Sequence, residues 1–132
     1  MSDKSSLIRA FNAHFFDFLD DILSIFPDNV SILTAKKSAE FIKKANPTAI
    51  IKAWYSFIYL KYKDVIDTGD ISFFFDKDYS TDLESLSNSN EILKIVDTLR
   101  EPVRNMSPAS KDHTAKYIQN LSKISNAYSL IK

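Results

Sequence analysis

Apolar residues recur at steps of three and four positions along most of this chain, and that spacing places them on one side of an α-helix. In the stretch from Leu7 to Phe26 they cover about half of the helix circumference, which is typical of a helix at the centre of a bundle. The chain contains a single glycine, so few positions suit tight β-turns. The pattern predicts five helices, over residues 7–26, 30–45, 47–67, 90–106 and 107–131.

Capping residues and prolines mark several expected helix ends. Asn46 is expected to cap the third helix, with Pro47 at its first position. Ser107 and Pro108 are expected to open the last helix in the same way. Pro102 lies inside the fourth apolar run and should break or kink it, because proline lacks the backbone donor that a helix interior needs.

The remaining segments complete the expected fold. Residues 71–79 are compatible with a short helix or a buried extended segment, and we favour the short helix. Residues 80–90, which are rich in Ser, Asp and Asn, predict a surface loop. No repeat is visible, and no linker is long enough to separate two domains. The expected fold is all-α, a compact single-domain bundle of five to six helices over residues 1–132, with a flexible N-terminus at residues 1–5.

Composition excludes several classes of protein. The chain has no cysteine, which excludes disulfides, thiolate zinc sites, Fe–S clusters and cysteine nucleophiles. Its 17 basic residues equal its 17 acidic residues, which argues against a dedicated nucleic-acid coating protein. The start of the sequence lacks the apolar core of a signal peptide, and no run approaches the ~18 apolar residues that span a bilayer. We therefore expect a protein that is not secreted and has no membrane span.

Charge is nevertheless distributed unevenly along the chain. Residues 36–63 hold seven lysines and one acid, whereas residues 64–84 hold seven acids and one lysine. One interpretation is that both regions are solvated faces that attract each other across the fold. The other is that a basic patch and an acidic patch bind partners or neighbouring copies of the chain.

The second helix is expected to be amphipathic and to lie on the surface. Its lysines, together with Glu40, form the expected basic outer face. The opposite side, which is expected to face the core, consists of Thr34, Ala35, Ser38, Phe41, Ile42 and Ala45.

Two groups of residues partly match metal sites. Residues 76–84 place Asp, Ser or Glu at alternate positions, as a calcium loop does, but the Gly and Glu that an EF-hand needs at positions six and twelve are missing. His14, Asp17 and Asp21 lie on one flank of the first helix, yet a carboxylate-bridged metal centre draws Glu-x-x-His elements from more than one helix. We interpret both groups as acidic surface and expect no metal and no cofactor.

The sequence carries no motif for catalysis. It has no G-x-S-x-G elbow and no phosphate-binding glycine loop, and neither His14 nor His113 lies in a recognisable triad context. We therefore expect a protein that is not an enzyme.

The third helix interleaves lysines with aromatic residues. Such an arrangement can stack on single-stranded bases. Alternatively, Trp54 belongs to the core while the tyrosines lie at a rim or at a protein interface, where exposed aromatic residues are enriched. The candidate partner contacts are Lys52, Tyr55, Tyr59, Lys61 and Lys63.

Three stretches of the chain carry a family resemblance: FNAHFFDFLDDILSIFP (residues 11–27), KKANP (residues 43–47) and LREPVRNM (residues 99–106). Read together, they resemble a small uncharacterised helical protein family of nucleocytoplasmic large DNA viruses. The resemblance spans most of the chain and implies a viral origin. It implies no catalytic residue, because the family has no assigned activity.

The residues and the resemblance together lead us to expect a non-enzymatic viral interaction protein, either a minor virion component or an assembly factor, in the virion or the host cytoplasm. Its expected partners are other virion proteins or further copies of itself, joined through the opposite charge patches as a homo-oligomer. Two alternatives stay open. One is a nucleic-acid-binding protein that uses the second and third helices, and the other is a helical host-modulating protein that occupies a groove of a host partner.

Overall fold

The computed structural model describes residues 3–69 and 90–131, and of residues 90–93 it describes the backbone alone. Every regular element in those residues is helical, which confirms the predicted all-α bundle. A π-helical turn, Tyr55–Tyr59, joins α3 to α4 without a break. The short helix expected over residues 71–79 lies outside the described residues. The helices are α1 (Lys4–Ile25), α2 (Val30–Ala45), α3 (Ala49–Trp54), α4 (Leu60–Thr68), α5 (Asn90–Thr98), α6 (Arg100–Arg104) and α7 (Pro108–Leu130).

Helix α1 lies in the core and packs mainly against α7, while α2 packs mainly against α5. Fully burying one large apolar side chain contributes about 1.5–3 kcal/mol, so the apolar side of α1 is a major source of stability. The buried apolar residues of α1 keep the three- and four-residue spacing that its sequence shows: Phe11, Phe15, Phe18, Leu19 and Ile22.

Trp54 connects α3 to this core. Its ring meets Phe11 and Phe15 edge to face, with ring centroids 6.2 Å and 6.4 Å apart. Edge-to-face contacts of this kind add to the energy of burial, because the positive edge of one ring meets the negative face of another. Trp54 is 1% exposed, which confirms its predicted place in the core.

Helix α2 is rotated differently from its predicted orientation. Its buried residues are Ile32, Ala35 and Ala39, which face the bundle. Phe41, expected on the core side, is 75% exposed, and that prediction is wrong. The reason is geometric: Phe41 is two residues beyond Ala39, about 200° around the helix, and therefore points away from the buried side. Thr34 and Ala45, also expected on the core side, are exposed as well.

Helix α1 begins earlier than its apolar pattern predicted. The Ser6 backbone N–H donates to the Asp3 carboxylate at 2.7 Å, so Asp3 is the N-cap. The hydrogen bond holds the pKa of Asp3 below its usual value, because it stabilises the charged carboxylate. The helix therefore includes Lys4 and Ser5, which the sequence analysis assigned to a flexible terminus.

Ser107 and Pro108 open α7 as predicted, but Pro47 does not open α3. Instead, the Asn46 side chain accepts hydrogen bonds from the Thr48 backbone and hydroxyl, at 3.1 Å and 2.8 Å. This local Asx-type turn takes up Pro47, and the helix starts only at Ala49.

The fourth apolar run breaks, as its proline predicted. The break falls at Leu99, three residues before Pro102, and separates α5 from α6. A helical Pro102 would clash with the carbonyl of Thr98, four residues earlier, so the chain must leave the helix before the proline. Pro102 itself lies in the first turn of α6, where a proline is tolerated, and it is buried.

Candidate functional site

Tyr55 and Tyr59 form a stacked pair on the helix that α3 and α4 make up, and Tyr59 also packs against the hydrophobic core. Their ring centroids are 6.0 Å apart, their planes differ by 28°, and both side chains are half-buried. They lie at the two ends of the π-helical turn, in which the Leu60 backbone N–H donates to the Tyr55 carbonyl five residues earlier. Such turns are frequent at functional sites.

Two other residues predicted to contact a partner lie next to this pair. Lys52 precedes Tyr55 by three residues, and Lys63 follows Tyr59 by four, so helical spacing puts both on neighbouring lines of the same surface. Both lysines are exposed. Leu60, an apolar residue that the sequence analysis did not single out, is 49% exposed beside them. We call Lys52, Tyr55, Tyr59, Leu60 and Lys63 the tyrosine face.

Lys61 does not share the tyrosine face. It is exposed, but it comes two residues after Tyr59, about 200° further around the helix. The structure therefore brings together four of the five predicted contact residues and turns Lys61 to another side.

The basic stretch of residues 36–63 is partly engaged within the fold. Lys36 pairs with Asp20 of α1 at 2.5 Å, and this contact raises the pKa of the Lys36 ammonium group. The ammonium of Lys43 lies 4.8 Å from the centre of the Phe16 ring, a cation–π contact with the same helix. Most of the acidic stretch of residues 64–84 lies outside the described residues, as does the calcium-like stretch of residues 76–84.

A surface pocket between α1 and α7 brings the two histidines of the chain together. His14 and Asp17 line it from α1, and His113 and Tyr117 line it from α7. The sequence analysis grouped His14 with Asp17 but found no link to His113, because only the packing of α1 against α7 creates one. In the described part of the chain, no group of three or more acidic or histidine side chains could hold a metal ion.

Two groups in this pocket, His14 and Tyr117, have shifted pKa values. The His14 ring lies against Tyr117 with centroids 4.8 Å apart, and its buried Nε2 atom has no hydrogen-bond partner among the described residues. Burial lowers the pKa of His14, and the nearby Asp17 carboxylate opposes that shift only in part. Burial also raises the pKa of Tyr117, with the carboxylates of α1 adding to the effect.

Comparison with protein-family models, with curated proteins and with solved structures finds no match to this chain. Among the helices in the described residues, none combines the length and apolar character needed to cross a membrane.

Proposed function

We propose that this chain is a non-enzymatic interaction protein that binds a protein partner through the tyrosine face. The observation that carries the proposal is the stacked pair of Tyr55 and Tyr59 beside Leu60, an apolar side chain that is 49% exposed. Tyrosine is enriched at protein interfaces, because its ring offers apolar area with little loss of conformational freedom and its hydroxyl bonds at the wetter edge.

The charges beside the tyrosines indicate the kind of partner. Lys52 and Lys63 flank the apolar surface, so a partner with acidic residues around an apolar centre would be complementary. Such rim charges chiefly raise the association rate and select among partners, while the aromatic centre contributes most of the affinity.

The biological setting belongs to the same proposal. The resemblance of residues 11–27, 43–47 and 99–106 to a family of nucleocytoplasmic large DNA viruses supports a role as a minor virion component or an assembly factor. In that setting the partner is another viral structural protein, whereas a host-modulating protein would bind a single host protein instead.

The test compares two charge reversals on one helix. Lys63→Glu changes the tyrosine face, and Lys61→Glu makes the same change on another side of the helix. Each tagged protein would be used to capture partners from infected cells, with and without nuclease, and the captured proteins would be quantified by mass spectrometry. We expect Lys63→Glu to reduce capture of the viral partner about tenfold, and Lys61→Glu to leave it unchanged.

Three results would contradict the proposal. Equal loss with both variants would mean that the effect is one of overall charge rather than of the tyrosine face. Loss of all partners on nuclease treatment would favour nucleic-acid binding, in which lysines and tyrosines contact phosphates and bases. Capture of one host protein and no viral protein would favour host modulation.

A further inference from the structure

The outer side of α2 is apolar where a solvent-facing helix usually carries charge. Val30 is 72% exposed and Phe41 is 75% exposed, and Leu33 beside them is 43% exposed. The buried residues Ile32 and Ala39 are on the opposite side of the same helix. An exposed apolar cluster of this kind marks an interaction site more often than an isolated surface residue does.

The spacing of these residues places Val30 and Phe41 at the two ends of one stripe along α2, with polar residues between them. Val30 and Phe41 are eleven residues apart, about three turns, so they lie within about 20° of each other around the helix and about 16 Å apart along it. Thr34 and Lys37 fall between them on the same line, at steps of four and three residues. The stripe therefore has the length that a docked helix of three to four turns covers.

Two hollows lie along the stripe, and α5 forms a second wall beside the first of them. One, of about 340 Å³, lies between α2 and α5 and includes Val30 and Ile95 in its lining. The other, of about 450 Å³, lies beside Phe41. Both hollows share Thr34 and Ser38, whose small side chains let another backbone approach closely. We call Val30, Thr34, Lys37, Ser38 and Phe41, with Ile95 of α5, the α2 groove.

The positive charge of α2 indicates which kind of partner the α2 groove binds. The helix carries four lysines against the single acid Glu40. Lys37 lines the groove next to Phe41, and Lys44 is exposed one turn further on. A second copy of α2 would bring lysines against lysines, which opposes pairing. A partner with acidic residues next to its apolar residues would match both the charge and the shape.

We propose that the α2 groove binds an amphipathic helix of another protein, with apolar residues at three- and four-residue spacing and acidic residues beside them, where the helix faces Lys37 and Lys44. Its apolar residues pack between Val30 and Phe41, and its carboxylates face Lys37 and Lys44. The groove belongs to different elements from the tyrosine face, so this binding site does not depend on the function proposed above. A flat anionic membrane fits less well, because a bilayer does not fill a groove whose lining includes the hydroxyls of Thr34 and Ser38.

The test uses fluorescently labelled 16-residue peptides and the full chain. One peptide carries leucines at helical spacing with glutamates elsewhere, a second replaces every glutamate by lysine, and a third is a scrambled form of the first. Fluorescence anisotropy measures their binding, and vesicles of phosphatidylserine and phosphatidylcholine form a separate arm. We expect the acidic peptide to bind at least tenfold more tightly than either control peptide.

Two protein variants, one inside the α2 groove and one outside it, test whether the peptide binds in the groove. Phe41→Ser should weaken binding of the acidic peptide about tenfold, because a large apolar anchor is lost. Leu130→Ser is the control, since Leu130 is 73% exposed at the end of α7. It should leave the affinity unchanged, and both variants should keep the wild-type unfolding midpoint because neither side chain is buried.

Each other outcome overturns the proposal. No binding of the acidic peptide at up to about 1 mM would remove it, and so would equal effects of Phe41→Ser and Leu130→Ser. Binding to the vesicles that depends on Phe41, without peptide binding, would identify a membrane surface as the occupant. A dimer that dissociates on Phe41→Ser would identify a second copy.

Discussion

The indole nitrogen of Trp54 donates a 3.0 Å hydrogen bond to the Ser122 hydroxyl, and each of these residues is 1% exposed. The bond joins α3 to α7 across the core. A buried donor without an acceptor raises the free energy of the folded state, because it has lost its hydrogen bonds to water. Rotations of α3 against α7 that would break this bond are therefore disfavoured.

Replacing Ser122 by alanine should lower the free energy of unfolding by about 1–3 kcal/mol, because the Trp54 donor is then buried without a partner. Urea unfolding followed by fluorescence measures this directly, since Trp54 is the only tryptophan of the chain. Ser129→Ala is the control: Ser129 lies on the same helix, but it is exposed and bonds only to the Asn126 carbonyl. A similar loss in both variants would show that the effect reflects α7 in general.

Asn12 connects α1 to the turn before α3, since its Nδ2 atom donates to the Pro47 carbonyl at 3.0 Å in a site where Asn12 is 6% exposed. Asn12→Asp should place an acceptor against that carbonyl and raise the folded-state pKa of the new carboxyl above its unfolded value of about 3.9. The variant should therefore be most stable below about pH 4 and lose stability as the pH rises through the folded pKa. Unfolding midpoints between pH 3 and pH 7 test this, with the exposed Asn120→Asp as control. A constant difference from the wild type across that range would refute it.

The contact between His14 and Tyr117 should make stability depend on pH. Burial lowers the folded-state pKa of His14 below its usual value, so the folded state favours the neutral ring. Stability from this group is fully present above the unfolded pKa and is lost as the pH falls through the lower folded pKa.

Replacing His14 by phenylalanine should keep the ring contact and remove this loss of stability between pH 7.5 and pH 5. The control is His113→Phe, because His113 is exposed. Urea midpoints at both pH values, supported by the NMR titration of the imidazole protons, provide the measurement. If the His14 variant loses as much stability as the wild type on acidification, another group is responsible.

Gly69 ends α4 in the left-handed region, with φ of 83°, and its N–H donates to the Ile66 carbonyl. Gly69→Ala should cost about 1–2 kcal/mol, because a Cβ atom is disfavoured at that φ. A steric clash would not contribute, since the new Cβ would lie 3.5 Å from Gln119 Nε2, an ordinary contact. Gly69→Asn should cost less than Gly69→Ala, because asparagine tolerates this conformation better. Thermal unfolding measures the loss of stability in both variants. An equal loss in Gly69→Ala and Gly69→Asn would exclude the backbone conformation as its cause.

The candidate surfaces show where sequence reasoning succeeded and where it failed. The helical spacing of Tyr55 and Tyr59 placed them one turn apart, and they do stack. The same reasoning put Phe41 on the buried side of α2, although it is 75% exposed. The difference arises because α2 carries apolar residues on more than one side. Its neighbours α1, α3 and α5 decide which side is covered.

By itself, the sequence determined that the chain is helical, where α2, α5 and α7 begin and that the fourth apolar run breaks, because apolar spacing, capping residues and prolines act over a few neighbouring residues. Only the tertiary structure decided how each helix is rotated and which distant residues meet. The bond between Trp54 and Ser122, and the pocket shared by His14 and His113, join residues far apart in the chain. Such contacts follow from packing whole helix faces against one another, and no local pattern of residue types contains that information.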